Sequence, residues 1–185
     1  MGRPRLVRDD ELYDRLAEVF RTAGYEGASL GALAEAAQLR RASLYHRFPD
    51  GKAEMAEAVL DRVQRLFDEL LEPMRTDPDA RAGIARSAER IGEFYGGGVL
   101  SCVLDTLPLN GAPEGVRRRA ARVAEMWIST MADAARRGGR REAEARTAAE
   151  DAFASIEGGL VYGRLFDDGA PFQRALTRLP ELLLD

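Results

Sequence analysis

Residues 29–48 decide the fold, and they read Ser-Leu-Gly-Ala-Leu-Ala-Glu-Ala-Ala-Gln-Leu-Arg-Arg-Ala-Ser-Leu-Tyr-His-Arg-Phe. Ser29 is suited to cap a short helix rich in small residues, which a second helix can cross closely. Leu39 is the apolar residue of the turn, and Leu44 and Phe48 lie four residues apart on one face of the second helix. These features predict a helix-turn-helix whose second helix is short enough to enter the major groove of DNA. Its partly outward side chains are then Arg41, Ser43, Tyr45, His46 and Arg47.

The rest of the chain also has apolar residues at helical spacing, without the alternation that is typical of strands. We predict an all-α protein of about nine helices, at about 10–23, 29–37, 41–47, 52–71, 80–95, 99–107, 114–137, 142–166 and 171–184. Gly24 is expected to end the first helix and Pro73 to stop the fourth. The predicted domains are a helix-turn-helix DNA-binding domain over 1–52 and a helical ligand-binding and dimerisation domain over 53–185.

The composition excludes several classes of protein. The chain has 185 residues, of which 45% are hydrophobic and 31% charged, as is ordinary for a globular protein. The single cysteine, Cys102, excludes an intrachain disulfide. One histidine and one cysteine predict no metal site, and we expect no cofactor and no enzymatic activity. The N-terminus lacks the apolar core of a signal peptide, and no apolar run reaches the roughly 20 residues that span a bilayer. We therefore expect a cytoplasmic protein that does not bind membranes.

The distribution of charge matters more than its total. The net charge is −4, and residues 1–52 carry nine basic and eight acidic side chains. The basic residues gather at 3–8 and at 40–52, with most of the acidic residues between them. Such local clustering is compatible with phosphate binding or with an ordinary solvated surface, and the charge pattern alone does not separate the two.

Residues 10–60 resemble the DNA-binding domain of the tetracycline-repressor (TetR) family. The residues that carry the resemblance are Phe20 before Gly24-Tyr25, then Ser29-Leu30, Leu33-Ala34, Ala37, Ser43-Leu44-Tyr45-His46-Arg47-Phe48, Lys52, Ala56 and Val59-Leu60. The Leu-Tyr-x-x-Phe run followed by a lysine is the most specific of these features. Beyond residue 60 the resemblance is architectural only.

The resemblance implies a role in DNA binding for eight residues: Arg3, Arg5, Ser29, Arg41, Ser43, Tyr45, His46 and Lys52. Ser29 and Lys52 are expected to contact phosphate, whereas Arg41 and Ser43 are expected to reach base edges. Tyr45 is assigned to a phosphate or a thymine methyl, and His46 to a phosphate or a base.

Two further basic features extend this surface. Arg3 and Arg5 form an arm that is suited to the adjacent minor groove. The family usually has a small capping residue where this chain has Arg40, which cannot cap a helix. We therefore hypothesise that Arg40 makes an additional DNA contact.

The resemblance also implies a homodimer, because paired recognition helices lie about 34–36 Å apart on DNA. The last two helices are the predicted interface, with Phe153, Ile156, Leu160, Phe172, Leu176 and Leu179. The middle helices are expected to surround a pocket for a small apolar or aromatic effector, lined by Phe67, Leu70, Phe94, Tyr95, Val99, Met126, Trp127 and Met131. Each of these residues has a simpler interpretation as ordinary core.

We therefore predict a ligand-responsive transcriptional regulator that binds a palindromic operator in double-stranded DNA. Repression is expected rather than activation, by resemblance alone, and the effector releases the protein from DNA by linkage. The alternatives are a DNA-binding regulator without a small-molecule effector and, from another class, a helical enzyme or cofactor-binding bundle. Cys102 has two interpretations, an inert buried thiol or an oxidant sensor, and the sequence favours the first.

Overall fold

The computed structural model describes residues 8–185, and this range contains eleven helices. They are α1 (Asp9–Gly27), α2 (Leu30–Ala36), α3 (Arg41–Arg47), α4 (Lys52–Leu70), α5 (Glu72–Thr76), α6 (Ala80–Phe94), α7 (Val103–Thr106), α8 (Glu114–Arg137), α9 (Glu142–Phe166), α10 (Ala170–Thr177) and α11 (Leu179–Leu184). The predicted all-α class is confirmed.

Two prolines explain why the expected count of about nine helices was too low. Pro73 lies in the first turn of α5 and Pro180 in the first turn of α11. Proline is tolerated there because the first N–H groups of a helix have no intrahelical acceptor. Each proline therefore begins a new short helix, so that Pro73 does more than stop α4 and the segment 171–184 forms two helices.

One glycine and one run of three glycines account for differences from the predicted bounds of other helices. Gly24 interrupts α1 with φ 66° and ψ −179°, as expected of a helix break, but one further helical turn follows it. Gly96, Gly97 and Gly98 all have positive φ. They delay the next helix, so that α7 covers only Val103–Thr106 of the predicted 99–107.

The chain divides into two compact units. The first comprises the described residues up to Gln64 together with Val103–Ala121, and the second comprises Arg65–Cys102 and Arg122–Asp185. This division is not the predicted one after residue 52: α4 as far as Gln64, all of α7 and the start of α8 group with the helix-turn-helix. The assignment of separate functions to 1–52 and 53–185 stays a prediction.

The first unit has a continuous apolar core. Its fully buried side chains include Leu12, Leu16, Phe20, Leu33, Leu44, Met55, Val59, Leu60, Leu107 and Val116. The Thr106 hydroxyl donates a hydrogen bond to the Phe20 carbonyl (3.4 Å), which joins α7 to α1. The short α7 is thus part of the scaffold that supports the helix-turn-helix.

The second unit has an aromatic core. Phe67, Tyr95, Trp127 and Phe172 are all at most 1% exposed. Aliphatic residues extend this core along the helices: Ile84, Ile91, Met131, Ile156, Leu160, Leu176, Leu179 and Leu183. Within residues 8–185, the helices are all too short or too polar to cross a membrane.

Candidate DNA-binding surface

The α2–α3 corner is held by local hydrogen bonds. The Ser29 hydroxyl accepts a hydrogen bond from the Ala32 N–H at 3.1 Å, which is the predicted N-cap. The turn after α2 places Gln38 at φ 54°, in the left-handed region. The Leu39 N–H then donates to the Ala34 carbonyl at 3.0 Å. The predicted helix-turn-helix is thereby confirmed.

The inward face of α3 is anchored in the first unit. Leu44 and Phe48 are buried, and the Phe48 ring meets Tyr13 of α1 edge-on with a centroid distance of 6.4 Å. Leu39 is only half-buried, so it covers the corner without filling it. With Leu44 and Phe48 fixed, the rotation of α3 about its own axis is set, and so is the face that it presents to solvent.

The outward face of α3 contains the predicted contact residues. Arg40, Arg41, Ser43, Tyr45 and His46 are all exposed, and Tyr45 keeps 46% of its surface accessible. Ala42 is also exposed and was not among the predicted residues. At about 100° per residue, Ala42 and His46 lie almost opposite Leu44, at the centre of the exposed face. Helical geometry applied to the sequence was enough to find Ala42, whose methyl group is suited to a thymine methyl.

Arg41 turns towards α2. A Cβ atom added to Gly31 would lie 2.8 Å from an Arg41 guanidinium nitrogen and 3.6 Å from the Ser29 hydroxyl oxygen. Gly31 therefore leaves the space that the Arg41 side chain occupies, close to the start of α2. In this position Arg41 shares a small area with Ser29, the residue expected to contact phosphate.

Arg40 is the N-cap of α3 and makes no side-chain capping hydrogen bond. Its backbone is extended (φ −69°, ψ 148°), as at an ordinary cap position. The backbone therefore has the conformation of a cap, but the arginine side chain offers no acceptor for the first N–H groups of α3. The Arg40 side chain is exposed beside the outward face of α3.

Lys52 is more constrained than predicted. Its ammonium donates to the Tyr25 carbonyl at 2.7 Å and lies 3.4 Å from the Glu26 carbonyl. It also lies 4.5 Å from the centroid of the Tyr25 ring, and partial burial raises the pKa of the Tyr25 hydroxyl, which keeps this ring neutral. An ammonium has three donors, so Lys52 joins the start of α4 to the end of α1 and retains capacity for a phosphate. Arg3 and Arg5 lie outside the described residues.

Comparisons with known proteins agree with this geometry. Residues 12–59 match the family model described as bacterial regulatory proteins, tetR family. The HTH-type transcriptional regulator LmrA of Bacillus subtilis (strain 168) is 23% identical over 187 residues, covering 94% of this chain and 95% of LmrA. A TetR transcriptional regulator from Legionella pneumophila has a TM-score of 0.83 at 17% identity and covers 98% of this chain and 97% of its own.

The chain belongs to the TetR family. This family consists of DNA-binding transcription factors rather than enzymes, so the chain is a TetR-family transcriptional regulator. A cysteine mutant of the TetR-family regulator CifR, complexed with 26-base-pair double-strand operator DNA, has a TM-score of 0.75. It is 25% identical to this chain and covers 97% of it and 98% of its own length. A TetR-family protein of this fold thus binds an operator.

The aromatic residues predicted to contact an effector in this TetR-family chain form a packed cluster. The Phe67 ring lies 4.8 Å from Trp127 and 5.9 Å from Phe94, and Phe94 lies 4.9 Å from Tyr95. Trp127 and Met131 are buried, whereas Leu70, Phe94 and Met126 are half-buried. Val99 is 60% exposed and does not belong to this core.

A surface groove of about 460 Å³ lies elsewhere in the second unit, along α6, α10 and α11. Its lining residues differ from the eight predicted ones: Ala85, Ala88, Glu89, Gly92, Glu93, Gln173, Leu176, Thr177 and Pro180. The four aromatic residues among those predicted for an effector are together in space but packed closely against one another.

The residues predicted for the dimer interface are mostly covered within the chain itself, and their role in a dimer stays a prediction. Ile156, Leu160, Phe172, Leu176 and Leu179 are buried inside the chain itself, at 4% exposure or less. Phe153 is half-buried and packs edge-on against Trp127 at 5.5 Å. The five buried side chains have little surface left for a partner and belong to the core of the second unit. The exposed apolar residues of α9 are instead Tyr162, Leu165 and Phe166, which are 41%, 71% and 64% exposed.

Cys102 is buried, and its sulfur lies 3.1 Å from the Tyr95 hydroxyl in the second unit. The inert buried thiol is thus the simpler of its two interpretations.

Proposed function

We propose that this TetR-family chain is a ligand-responsive transcriptional repressor that binds a palindromic DNA operator as a homodimer. The observation that carries the DNA-binding part is the orientation of α3. Leu44 and Phe48 are buried, and a continuous face of Ala42, Ser43, Tyr45 and His46 is exposed. Side chains of this size and polarity on one short helix are suited to base edges in the major groove.

The test of operator binding is selection of bound sequences from a library of random duplexes with the purified protein. We expect a palindrome whose half-sites are about one turn of DNA apart, because a symmetric dimer presents two copies of α3. A single half-site without its repeat would contradict the dimer. Absence of enrichment even at low salt would contradict sequence-specific DNA binding altogether.

The homodimer is supported by the outer face of α9. Tyr162 and Phe166 contact each other with a ring-centroid distance of 4.5 Å, and Leu165 lies beside them with 71% of its surface exposed. One turn earlier, Gly158 has no atom within 4 Å of the position that a Cβ would occupy. An exposed apolar patch next to open space is suited to a second copy of the same helix.

The dimer is tested by sedimentation of variants with a new charge. Leu165→Glu is expected to convert the dimer to a monomer, because it would bury two carboxylates at a symmetric interface. The matched control is Leu109→Glu, since Leu109 is 60% exposed on the other unit. Equal sedimentation of both variants and the unmodified protein would remove α9 from the interface.

An effector site in the second unit is supported by the aromatic cluster around Trp127. This side chain is 1% exposed, and its indole N–H has no hydrogen-bond acceptor among the described residues. A buried donor without an acceptor is rare and destabilises the folded state. An uncharged aromatic ligand with an acceptor oxygen or nitrogen would supply the missing hydrogen bond.

The effector proposal is tested with a library of such compounds. Trp127 is the only tryptophan of the chain, so its fluorescence reports on this cluster alone. A compound present at 100 times its Kd stabilises the protein by about 2.7 kcal/mol and raises its Tm. An effector must raise the Tm, change the Trp127 emission and weaken operator binding, and a compound that does only the first binds elsewhere.

The route from effector to DNA is proposed to run along α4. This helix is continuous from Lys52 in the first unit to Leu70 in the second, and Phe67 of the aromatic cluster lies in its last turn. A ligand that separates Phe67 from Trp127 would move the end of α4 and thereby shift the operator-binding equilibrium. Couplings of this kind typically amount to about 1–3 kcal/mol.

One observation favours the alternative of a regulator without a small-molecule effector. The cluster around Trp127 is closed, with ring centroids 4.8–5.9 Å apart, and a ligand must open it before binding. If no compound changes the Trp127 emission while operator binding is intact, this alternative is preferred. The sign of regulation is tested separately by fusing the selected operator to a reporter gene, where repression predicts lower expression when the regulator is present.

A further inference from the structure

Arg47 is the last residue of α3, and its charge is already engaged within the protein. Its guanidinium forms an ion pair with the carboxylate of Asp9, the first residue of α1 and 38 positions earlier in the chain. The Arg47 side chain is 29% exposed and that of Asp9 is 64% exposed, so the pair lies at the surface. Asp9 thus joins the start of α1 to the end of the helix that faces DNA.

The charges of the other cations in and beside α3 are not offset in this way. Among residues 8–185, neither Arg40 nor Arg41 forms an ion pair with an acidic side chain, and both are exposed. Lys52 is held by neutral carbonyl groups, which leave its charge uncompensated. Arg47 is therefore the cation of this surface whose charge an acidic residue offsets.

We propose that Asp9 competes with a DNA phosphate for Arg47 and thereby weakens DNA binding by about one cationic contact. Carboxylate and phosphate are both preferred partners of a guanidinium. An exposed ion pair holds its partners weakly, so Arg47 can exchange one anion for the other. As long as Asp9 holds Arg47, one DNA phosphate lacks this cationic contact, which weakens binding of every sequence alike. Asp9 and Arg47 together set affinity and salt dependence, and they do not set sequence preference.

The proposal rests on the DNA-binding part of the proposed function and is independent of the effector and the dimer. Asp9→Asn removes the charge and keeps the size of the side chain. We expect tighter binding to a labelled mixed-sequence duplex, with a slope of log K against log salt steeper by about 0.9, the value for one added phosphate contact. The gain should then shrink by about 3.5-fold between about 50 mM and about 200 mM salt.

Two further variants separate exchange at Arg47 from a general effect of charge. Asp10→Asn removes the same charge one residue away, and Asp10 forms an ion pair with Arg62 of α4 at 3.9 Å. It is expected to increase affinity less than Asp9→Asn and to leave the slope unchanged. In an Arg47→Gln background, Asp9→Asn should lose its extra gain and act like Asp10→Asn.

The measurement is fluorescence anisotropy of the duplex with the full chain over a salt series, with the Tm of each variant measured alongside. Equal effects of Asp9→Asn and Asp10→Asn would overturn the proposal. So would a gain from Asp9→Asn that persists unchanged in the Arg47→Gln background. Failure of the unmodified protein to bind at about 50 mM salt would instead contradict the DNA-binding function itself.

Discussion

Two helical corners of this molecule are built in different ways. At the α2–α3 corner, Gln38 is left-handed (φ 54°) and Ser29 caps α2 through a residue three positions away. At the α9–α10 corner, Asp167 is likewise left-handed (φ 52°), and Asp168 accepts a hydrogen bond from the Ala170 N–H at 2.9 Å. Locally the two corners are alike. They differ in what the rest of the chain contributes.

The α9–α10 corner also needs close approach by distant segments. A Cβ added to Gly163 would lie 2.4 Å from the Gly98 carbonyl oxygen, and one added to Gly169 would lie 2.4 Å from that of Gly97. A Cβ added to Gly159 would lie 2.6 Å from the Cα of Phe172. The α2–α3 corner is thus encoded within some twenty residues, whereas the α9–α10 corner depends on backbone contacts between segments more than sixty residues apart.

The largest effect that this comparison predicts is at Phe172, which lies in the α9–α10 corner with its ring 5.8 Å from that of Tyr95. Phe172→Ala should lower the free energy of unfolding by about 3–5 kcal/mol, because it removes a fully buried ring from a packed core. Urea unfolding followed by circular dichroism measures this change. Leu109→Ala, at an exposed position, should change stability by less than about 0.5 kcal/mol. Similar values for the two variants would mean that the corner does not depend on long-range packing.

A second prediction uses two nearby glycines of α9. Gly163→Ala should destabilise the protein by about 1–3 kcal/mol, because the added methyl group meets a backbone oxygen that cannot move aside cheaply. In the Leu165→Glu background, where no partner helix is expected, Gly158→Ala places its methyl group in open space and should raise stability by up to about 1 kcal/mol through helix propensity. In thermal unfolding, the two variants should shift the Tm in opposite directions if the close approach at Gly163 is essential. Two stabilised variants would refute it.

The α2–α3 corner should respond to its own caps. Ser29→Ala removes the acceptor of the Ala32 N–H and is expected to cost about 1 kcal/mol. Arg40→Ser provides the side-chain acceptor that α3 lacks and should stabilise it by a similar amount. If Arg40 also contacts DNA, this more stable variant binds DNA more weakly with a smaller salt slope. Unchanged affinity and slope would remove Arg40 from the DNA-binding surface.

The smallest expected effect is that of a surface ion pair between α8 and α9. Arg146 donates to both carboxylate oxygens of Glu125, at 2.5 and 2.9 Å, and these hydrogen bonds lower the pKa of Glu125. A lowered pKa in the folded state means that the contribution is present above the unfolded pKa of about 4.3 and is lost as pH falls through the folded value. Glu125→Gln should therefore cost about 0.2–1 kcal/mol at pH 7 and nothing well below pH 4. A cost that persists in acid would exclude the ion pair as its cause.

The outcome of the sequence predictions follows the same division. The N-cap at Ser29, the buried Leu44 and Phe48, and the bounds of α3 agree with prediction because caps, turns and helical periodicity act over a few residues. The residues assigned to a dimer interface on α9–α11 are mostly covered by the chain itself, and their role in a dimer stays a prediction. An apolar stripe shows that a helix face is covered, and it does not show whether the same chain or a partner covers it. The hydrogen bond from Lys52 to the Tyr25 carbonyl was also beyond prediction from local pattern, because it joins residues 27 positions apart.

The sequence by itself determined the helical class, the helix-turn-helix and the outward residues of α3, since a period of 3.6 and local capping specify each of them. Tertiary structure alone decided three other features. It placed Phe172 and Leu160 in the core and left Leu165 and Phe166 exposed. It paired Asp9 with Arg47, and it brought Gly163 against Gly98. Each of these depends on how far-separated segments approach one another, and no pattern within a single helix records that distance.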